Sequence, residues 1–334
     1  MKFGSRDTKD AIGAILAHSI NLPDGRLRKG QKITVNDSET LLKAGVETVV
    51  VAELDSTDIE ENEAATRVAS SLANSGCVAE TAFTGRANIY AAHDGLFQAD
   101  AELITRLNRL SPAITLATLN TDTIVRSGRM VATVKIIPFA AKATDVQACE
   151  TLLDSTDALS IKPFQPATVM LIQTTLPDMP AKMLDKTARV LAERLTAMGA
   201  TLESEIRIEH AAPAVAEALV EAAAKADLVI VFGASAIADE HDVIPAGLER
   251  AGGRTIHFGM PVDPGNLLLI GELEGTTIIG APGCARSPAE NGFDWVLARV
   301  LAGAEVDHDY LTGLGVGGLL MEISSRPQPR EKDA

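Results

Sequence analysis

The hydrophobic pattern of the C-terminal half alternates between short apolar runs and longer amphipathic segments. The runs are rich in Val, Ile and Leu, and glycine or polar residues end most of them. The pattern predicts strands at 167–174, 201–208, 227–232, 267–271 and 276–280, and helices at 180–198, 212–224, 243–251 and 289–301. Strands this apolar, separated by whole helices, are typical of a parallel sheet that is covered on both faces. We therefore expect an α/β fold with a doubly wound, mostly parallel sheet and helices on both faces.

The N-terminal half has a shorter and less regular alternation. It predicts a strand at 48–52, a helix at 61–74, a strand at 87–92, a helix near 99–110, and strands near 114–118 and 130–138. Thr144 and Gln147 have the spacing of a capping box and predict the start of a helix that runs to Leu153. This half is therefore expected to be a smaller α+β region.

Changes in composition divide the chain into four predicted segments. The stretch 154–165 mixes Ser and Asp with a proline, as linkers between domains do. We predict an N-terminal α+β segment at 1–80, a second α/β segment with a connecting helix at 81–160, a C-terminal domain at 166–310 and a C-terminal tail at 311–334. The tail is polar and expected to be frayed after Ser324.

Composition and charge argue against nucleic acid and membranes as partners. The 334 residues are 46% hydrophobic and only 3% aromatic, and the formal net charge is −15, so the chain has no basic stripe for nucleic acid. No apolar stretch reaches the roughly 18 residues of a membrane span. The three cysteines lie far apart, without metal-binding or disulfide spacing. We expect a cytoplasmic protein without nucleic-acid or membrane partners.

One candidate loop follows the apolar run 227–232. Its small residues Gly233-Ala234-Ser235 let a phosphate or pterin approach the backbone. Asp239 and Asp242, just before the next helix, offer the carboxylate oxygens that a magnesium ion prefers. An ordinary strand-to-helix loop with capping acids explains the same residues equally well. The spacing leaves both interpretations open.

Two further loops lie near predicted strand ends of the same half. Pro282-Gly283 permits close backbone approach, Arg286 supplies the fork of donors that phosphate accepts, and Ser287 offers a hydroxyl. Pro264-Gly265 belongs to a rigid turn, which is structural unless it faces the other two loops. Arg286 is thus the local cation that an anionic ligand of this acidic chain requires.

These loops together resemble the molybdopterin-binding domain family, which includes molybdopterin adenylyltransferases and molybdenum insertases. The resemblance covers about 166–301 and rests on four motifs in order: Gly233, Asp242-Val243-Ile244-Pro245, Pro264-Gly265 and Pro282-Gly283. More weakly, residues 27–31 and the segment up to Val51 resemble what precedes this domain in longer, insertase-like members.

The resemblance implies a role for each loop. It implies that Asp242 positions magnesium or a nucleotide, whereas Asp239 is a candidate metal ligand only through its place in the loop. It also implies that Gly233, Ala234 and Ser235 approach the pterin phosphate. The remaining residues implied to hold the cofactor are Pro264, Gly265, Pro282, Gly283, Arg286 and Ser287.

The chain also departs from the family pattern at two places. Adenylyltransferases have more glycines in the first loop than Phe232-Gly233-Ala234-Ser235-Ala236, which weighs against ATP as a substrate. A second family aspartate appears as Glu209-His210, so either Glu209 replaces it as a catalytic acid or a magnesium ligand is lost.

The function implied is a molybdopterin-binding protein of molybdenum-cofactor biosynthesis that transfers adenylyl or molybdate onto molybdopterin, with Mg²⁺ and ATP as further cofactors. The alternative is a non-catalytic molybdopterin carrier or sensor, which the departures favour. The resemblance also implies a homo-oligomer that contacts other molybdenum-cofactor proteins.

Overall fold

The computed structural model describes residues 1–23, 25–154 and 156–320. The chain divides into two compact units, the first from Met1 to Lys162 and the second beginning at Pro163. The part of the predicted tail from residue 321 onward lies outside the described residues, and the predicted four-segment division stays a prediction. No helix in the described ranges has both the length and the apolar character needed to cross a bilayer.

The first unit is a mixture of small sheets and helices. Its strands are β1 (Lys2–Asp7), β2 (Ile15–Leu16), β3 (Ile20–Leu22), β4 (Gly25–Leu27), β5 (Thr48–Glu53), β6 (Asp58–Glu60), β7 (Cys77–Ala79), β8 (Arg86–Ala91), β9 (Gly95–Ala99), β10 (Ile114–Thr118), β11 (Thr123–Val125), β12 (Met130–Ile136), β13 (Ala140–Lys142) and β14 (Leu159–Pro163). Its helices are α1 (Val35–Lys43), α2 (Glu61–Ser71), α3 (Ala101–Leu110) and α4 (Ala143–Leu153).

The larger sheet of this unit has the order β10-β12-β8-β7, and β1 and β2 pair antiparallel with β5 in another. Helix α2 packs against the larger sheet with its Ala64, Ala65, Val68 and Ala69 side chains completely buried. The expected smaller α+β region is therefore present.

The predicted capping box at the start of α4 is wrong. The helix begins at Ala143, so Thr144 lies inside its first turn, where its hydroxyl contacts Asp145. Strand β13 pairs with β6, and Ala143 N donates to Thr57 O. Pairing with a distant strand therefore replaces the local cap that the sequence suggested.

The second unit is built on one six-stranded sheet. Its strands are β15 (Thr168–Thr175), β16 (Thr201–Glu209), β17 (Leu228–Phe232), β18 (Arg254–Phe258), β19 (Leu269–Leu273) and β20 (Thr276–Ala281). Its helices are α5 (Ala181–Ala197), α6 (Ala212–Ala223), α7 (Val243–Arg250), α8 (Gly292–Leu301) and α9 (His308–Gly313), with a 3₁₀ helix at Gly283–Arg286.

The sheet has the strand order β16-β15-β17-β20-β19-β18. The first four strands are parallel, and β19 is antiparallel to both of its neighbours. This confirms the expected mostly parallel sheet. Strand β18 was not predicted, because it has only five residues, all exposed or half-buried, and lacks an apolar run.

Helices cover both faces of the sheet. Val229 and Val231 of β17 belong to one buried cluster with side chains of α6 and α7. Phe232 of the same strand packs against Phe293 of α8, with ring centroids 6.3 Å apart. Because four neighbouring strands run parallel, the loops that leave β15, β16, β17 and β20 all begin at one edge of the sheet, where ligands of open α/β sheets bind.

Candidate functional site

Buried polar side chains converge at the carboxyl end of β15. Gln173 and Thr174 of this strand are completely buried, and Thr187 of α5 exposes only 1% of its surface. Buried polar groups are costly unless they are hydrogen bonded. Each of these three residues has at least one partner in a loop that follows another strand of the sheet, so the loops are held to the sheet at this point.

Arg286, at the end of the 3₁₀ helix, is the cation held by these groups. Its Nη1 donates to Gln173 Oε1 at 3.0 Å and to Thr187 Oγ1 at 2.7 Å. Its Nη2 donates to Gly233 O at 2.9 Å. The guanidinium carbon lies 4.9 Å from the centroid of the Phe232 ring. Arg286 therefore joins the loops after β17 and β20.

The orientation of the Gln173 amide follows from its other partners. Its Nε2 donates to Leu184 O at 2.9 Å and to Glu205 Oε1 at 2.7 Å, and both of these atoms can only accept. The amide oxygen must therefore face Arg286. Gln173 thus presents an uncharged acceptor to the guanidinium and leaves its positive charge uncompensated.

The charge of Arg286 has no acidic partner in the part of the chain that the structure describes. Burial lowers the pKa of Arg286, and no carboxylate contributes to the shift. The ordinary arginine pKa is so high that the group stays protonated at neutral pH. The three hydrogen bonds leave the Nε–H and one Nη2–H without a partner among the described residues.

The loop after β17 is shaped by Gly233 and anchored through Ala234. A Cβ atom at Gly233 would lie 2.4 Å from Ser235 O, so only glycine fits this turn. Ala234 N donates to the buried Thr174 Oγ1 at 2.7 Å. The structure thus brings Gly233, Ala234 and Ser235 to the carboxyl edge beside Arg286.

Asp242 and Asp239 shape the same loop through backbone contacts. Asp242 is the N-cap of α7, and its carboxylate accepts from Val243 N at 2.7 Å and Ala238 N at 3.0 Å. Asp239 Oδ1 accepts from His241 N at 2.8 Å. No group of three or more His, Cys, Asp or Glu side chains suited to a metal occurs in the described ranges. Mg²⁺ commonly takes one or two carboxylates and completes its shell with water, and the metal role of both residues stays a prediction.

Glu209 and His210 leave the end of β16 in different environments. The Glu209 side chain is exposed and has no hydrogen-bond partner within the described residues. His210 Nδ1 lies 2.8 Å from Thr174 Oγ1, and its Nε2 lies 3.4 Å from Ser235 Oγ. The residue that contacts the loop after β17 is therefore His210, whereas the catalytic role of Glu209 stays a prediction.

The loop around Ser287 is fastened to the rest of the unit by Arg194 of α5. Arg194 pairs with Asp294 of α8 and donates to Ala285 O at 2.8 Å and Ser287 O at 2.6 Å. Ser287 Oγ accepts from Ala289 N at 3.3 Å. The backbone on both sides of Arg286 is thereby fixed from outside the loop.

The two Pro-Gly motifs are placed differently. Pro282 is buried at the start of the 3₁₀ helix, and a Cβ at Gly283 would meet open space. Pro264 O accepts from Gly292 N at 2.9 Å, and a Cβ at Gly265 would lie 2.9 Å from the same nitrogen. The structure therefore connects Pro264-Gly265 to the start of α8, and the contact that it makes is structural.

Four residues of this site, Gln173, Thr174, Thr187 and Arg194, were not predicted from the sequence, and His210 was named there only beside Glu209, without a role. A signal for the first two was present, because an otherwise apolar strand ends in Gln-Thr-Thr. Polar residues that end a buried strand need partners, and at the carboxyl edge those partners are site loops. Thr187 and Arg194 gave no such signal, since both lie within an ordinary amphipathic helix.

Comparison with known proteins finds a family match within the second unit. Residues 168–303 match the family described as probable molybdopterin binding domain, which confirms the resemblance seen at 166–301. Residues 6–53 match a domain of unknown function. No curated protein matches the chain.

Two similar solved structures come from Pyrococcus. The molybdopterin biosynthesis MoeA protein of Pyrococcus horikosii is 13% identical to this chain, with a TM-score of 0.30. The match covers 90% of this chain and 75% of the Pyrococcus horikosii chain. A molybdenum cofactor biosynthesis protein of Pyrococcus furiosus is also 13% identical, with a TM-score of 0.24. That match covers 91% of this chain and 66% of the Pyrococcus furiosus chain. Likeness at this level does not extend to individual site residues.

Proposed function

We propose that this chain, whose residues 168–303 match the probable molybdopterin binding domain, binds molybdopterin at the carboxyl edge of its parallel sheet and serves molybdenum-cofactor biosynthesis. The observation that carries the proposal is Arg286. It is a partly buried guanidinium, oriented by Gln173, Thr187 and Gly233, without a carboxylate partner among the described residues.

An anionic ligand would offset the free-energy cost of burying the Arg286 charge. Partial burial of a cation costs free energy unless an opposite charge or sufficient hydrogen bonds compensate it. A phosphate oxygen accepts strong, charge-assisted hydrogen bonds from a guanidinium, and the uncommitted Nε–H and Nη2–H are such donors. In a chain of net charge −15, an arginine without a carboxylate partner among the described residues is a local positive charge that attracts an anion.

The loops around Arg286 complete the proposed binding site. Gly233 and Ala234 bring the backbone close to the pterin phosphate, and Ser235 and Ser287 offer hydroxyls. Pro282-Gly283 leads into the 3₁₀ helix that carries Arg286, and the binding role of Pro264-Gly265 stays a prediction. A homo-oligomer and contacts with other molybdenum-cofactor proteins remain part of the proposal.

The reaction that we propose is transfer of adenylyl or molybdate onto the bound molybdopterin. The contribution of the chain is to position the phosphate and to stabilise charge with prearranged donors. Asp242, Asp239 and Glu209 are the residues that would hold Mg²⁺, which supplies charge neutralisation to the phosphates of ATP when it is bound.

A non-catalytic carrier or sensor is the second candidate, and the loop geometry favours it. Both carboxylate oxygens of Asp242 already accept backbone N–H groups, and Asp239 is likewise used inside the loop. Carboxylates that cap a helix in this way are explained without a metal.

Anaerobic incubation with molybdopterin separates the two candidates. The protein is supplied with Mg-ATP in one sample and with molybdate in another, and adenylylated pterin, pyrophosphate and the molybdenum-loaded pterin are measured. Product that is lost in Asp242→Asn establishes the transferase. Tight molybdopterin binding without any product establishes the carrier, and absence of binding refutes the proposed function.

A further inference from the structure

Thr174 determines which ring nitrogen of His210 carries the hydrogen. The Thr174 hydroxyl is completely buried, its oxygen accepts from Ala234 N at 2.7 Å, and it lies 2.8 Å from His210 Nδ1. Within the described residues, Nδ1 is the only acceptor available to the hydroxyl hydrogen. A buried donor without an acceptor is costly, so Thr174 donates to Nδ1. The neutral imidazole then carries its own hydrogen on Nε2.

The Nε2–H of His210 faces the loop that we propose for the ligand. Its neighbour Ser235 is exposed, and Ser235 Oγ lies 3.4 Å away, near the outer limit of a hydrogen bond. The other end of the same short loop is Gly233, whose carbonyl oxygen binds Arg286. His210, which follows β16, and Arg286, which follows β20, therefore contact the same loop.

A nitrogen that carries a hydrogen donates and does not coordinate a metal. With Nδ1 occupied by Thr174, neither ring nitrogen is free to bind a cation in this arrangement. We infer that His210 is a ligand-binding residue that donates its Nε2–H to a phosphate oxygen of the bound pterin, at the place where the sequence suggested a magnesium ligand. The inference rests on the proposed function.

Nitrogen-15 NMR of protein labelled at its six histidines tests the inference directly. The spectrum of His210→Gln identifies the His210 signals by their absence. In the free protein, the His210 ring is expected to show the Nε2–H tautomer, and Thr174→Val is expected to lose this preference whereas Thr174→Ser keeps it. On addition of molybdopterin, the Nε2 signal of His210 is expected to shift.

Affinity for molybdopterin provides a second readout. Loss of a hydrogen bond to a charged ligand weakens binding by roughly tenfold to hundredfold, which is the effect expected for His210→Leu. His210→Gln keeps a side-chain N–H and is expected to retain most of the affinity. His18→Gln is the matched control, because His18 is exposed in the first unit. The ratio of wild-type to His210→Leu affinity is expected to be the same in EDTA and in Mg²⁺.

The outcomes separate this inference from the function on which it rests. An Nδ1–H tautomer, an unshifted His210 signal in a saturated complex, or an effect of His210→Leu that appears only with Mg²⁺ overturns the role of His210 and leaves molybdopterin binding standing. Absence of molybdopterin binding by the wild-type protein overturns both.

Discussion

Replacement of Arg194 by methionine is expected to destabilise the second unit strongly. The Arg194 and Asp294 side chains are only 9% and 13% exposed, so the pair is shielded from water. Removing one partner of a buried ion pair leaves the other charge uncompensated and typically costs about 3–5 kcal/mol. The carbonyls of Ala285 and Ser287 also lose a donor. We expect the free energy of unfolding to fall by about 3 kcal/mol, which lowers Tm by roughly 6–12 °C for a unit of this size.

A double-mutant cycle isolates the pair. Asp294→Asn keeps an acceptor for the α8 cap, where Asp294 Oδ2 accepts from Asn291 N at 2.9 Å, but removes the charge. Urea unfolding of both single variants and the double variant is expected to give a coupling free energy of about 1–2 kcal/mol. The matched control is Arg189→Met on the same helix, whose partner Glu193 is 66% exposed, and its effect is expected to stay within about 0.5 kcal/mol. An Arg194→Met loss no larger than that of Arg189→Met would refute this reasoning.

Two glycines and two buried cysteines give the remaining predictions. Gly233→Ala is expected to lower the free energy of unfolding by about 1–3 kcal/mol in urea titrations, because its Cβ would lie 2.4 Å from Ser235 O. Gly283→Ala is the control and is expected to leave stability unchanged, because a Cβ there meets open space. Equal losses of stability in the two variants would contradict this prediction. Burial raises the pKa of Cys149 to about 11, and the same cause raises the pKa of Cys77 to about 11. Since the thiolate is the reactive form, both are expected to resist a thiol reagent at pH 8 until urea unfolds the protein, and rapid labelling of either in the native state would contradict the burial.

The strands of the second unit could be predicted closely because buried strands leave a local signature. The runs at 167–174 and 227–232 correspond to β15 (Thr168–Thr175) and β17 (Leu228–Phe232). Both faces of these strands are covered, so nearly every position must be apolar. Strand β18 escapes the same reasoning, because its five residues are exposed or half-buried and contain no apolar run. The other edge strand, β16, is nine residues long and was predicted at 201–208.

The site loops could be predicted as loops, but their contacts could not. Gly233 and Arg286 are marked by residue type, yet their contact joins positions 53 residues apart and depends on the order of β17 and β20 in the sheet. The Asp242 carboxylate accepts from both Val243 N at the start of α7 and Ala238 N in the loop, and residue spacing does not predict the second of these hydrogen bonds. The contact between His210 and Thr174 depends on the register of β16 against β15, which the sequence does not show.

The most direct test of the central claim is the affinity of molybdopterin for Arg286 variants under anaerobic conditions. Arg286→Gln removes the charge, Arg286→Lys keeps the charge without the fork, and Arg250→Gln on the exposed end of α7 is the control. Circular dichroism first establishes that each variant is folded. We expect Arg286→Gln to bind roughly tenfold to hundredfold more weakly, Arg286→Lys to be intermediate, and Arg250→Gln to equal the wild type. A folded Arg286→Gln protein that binds molybdopterin as tightly as the wild type would contradict the account.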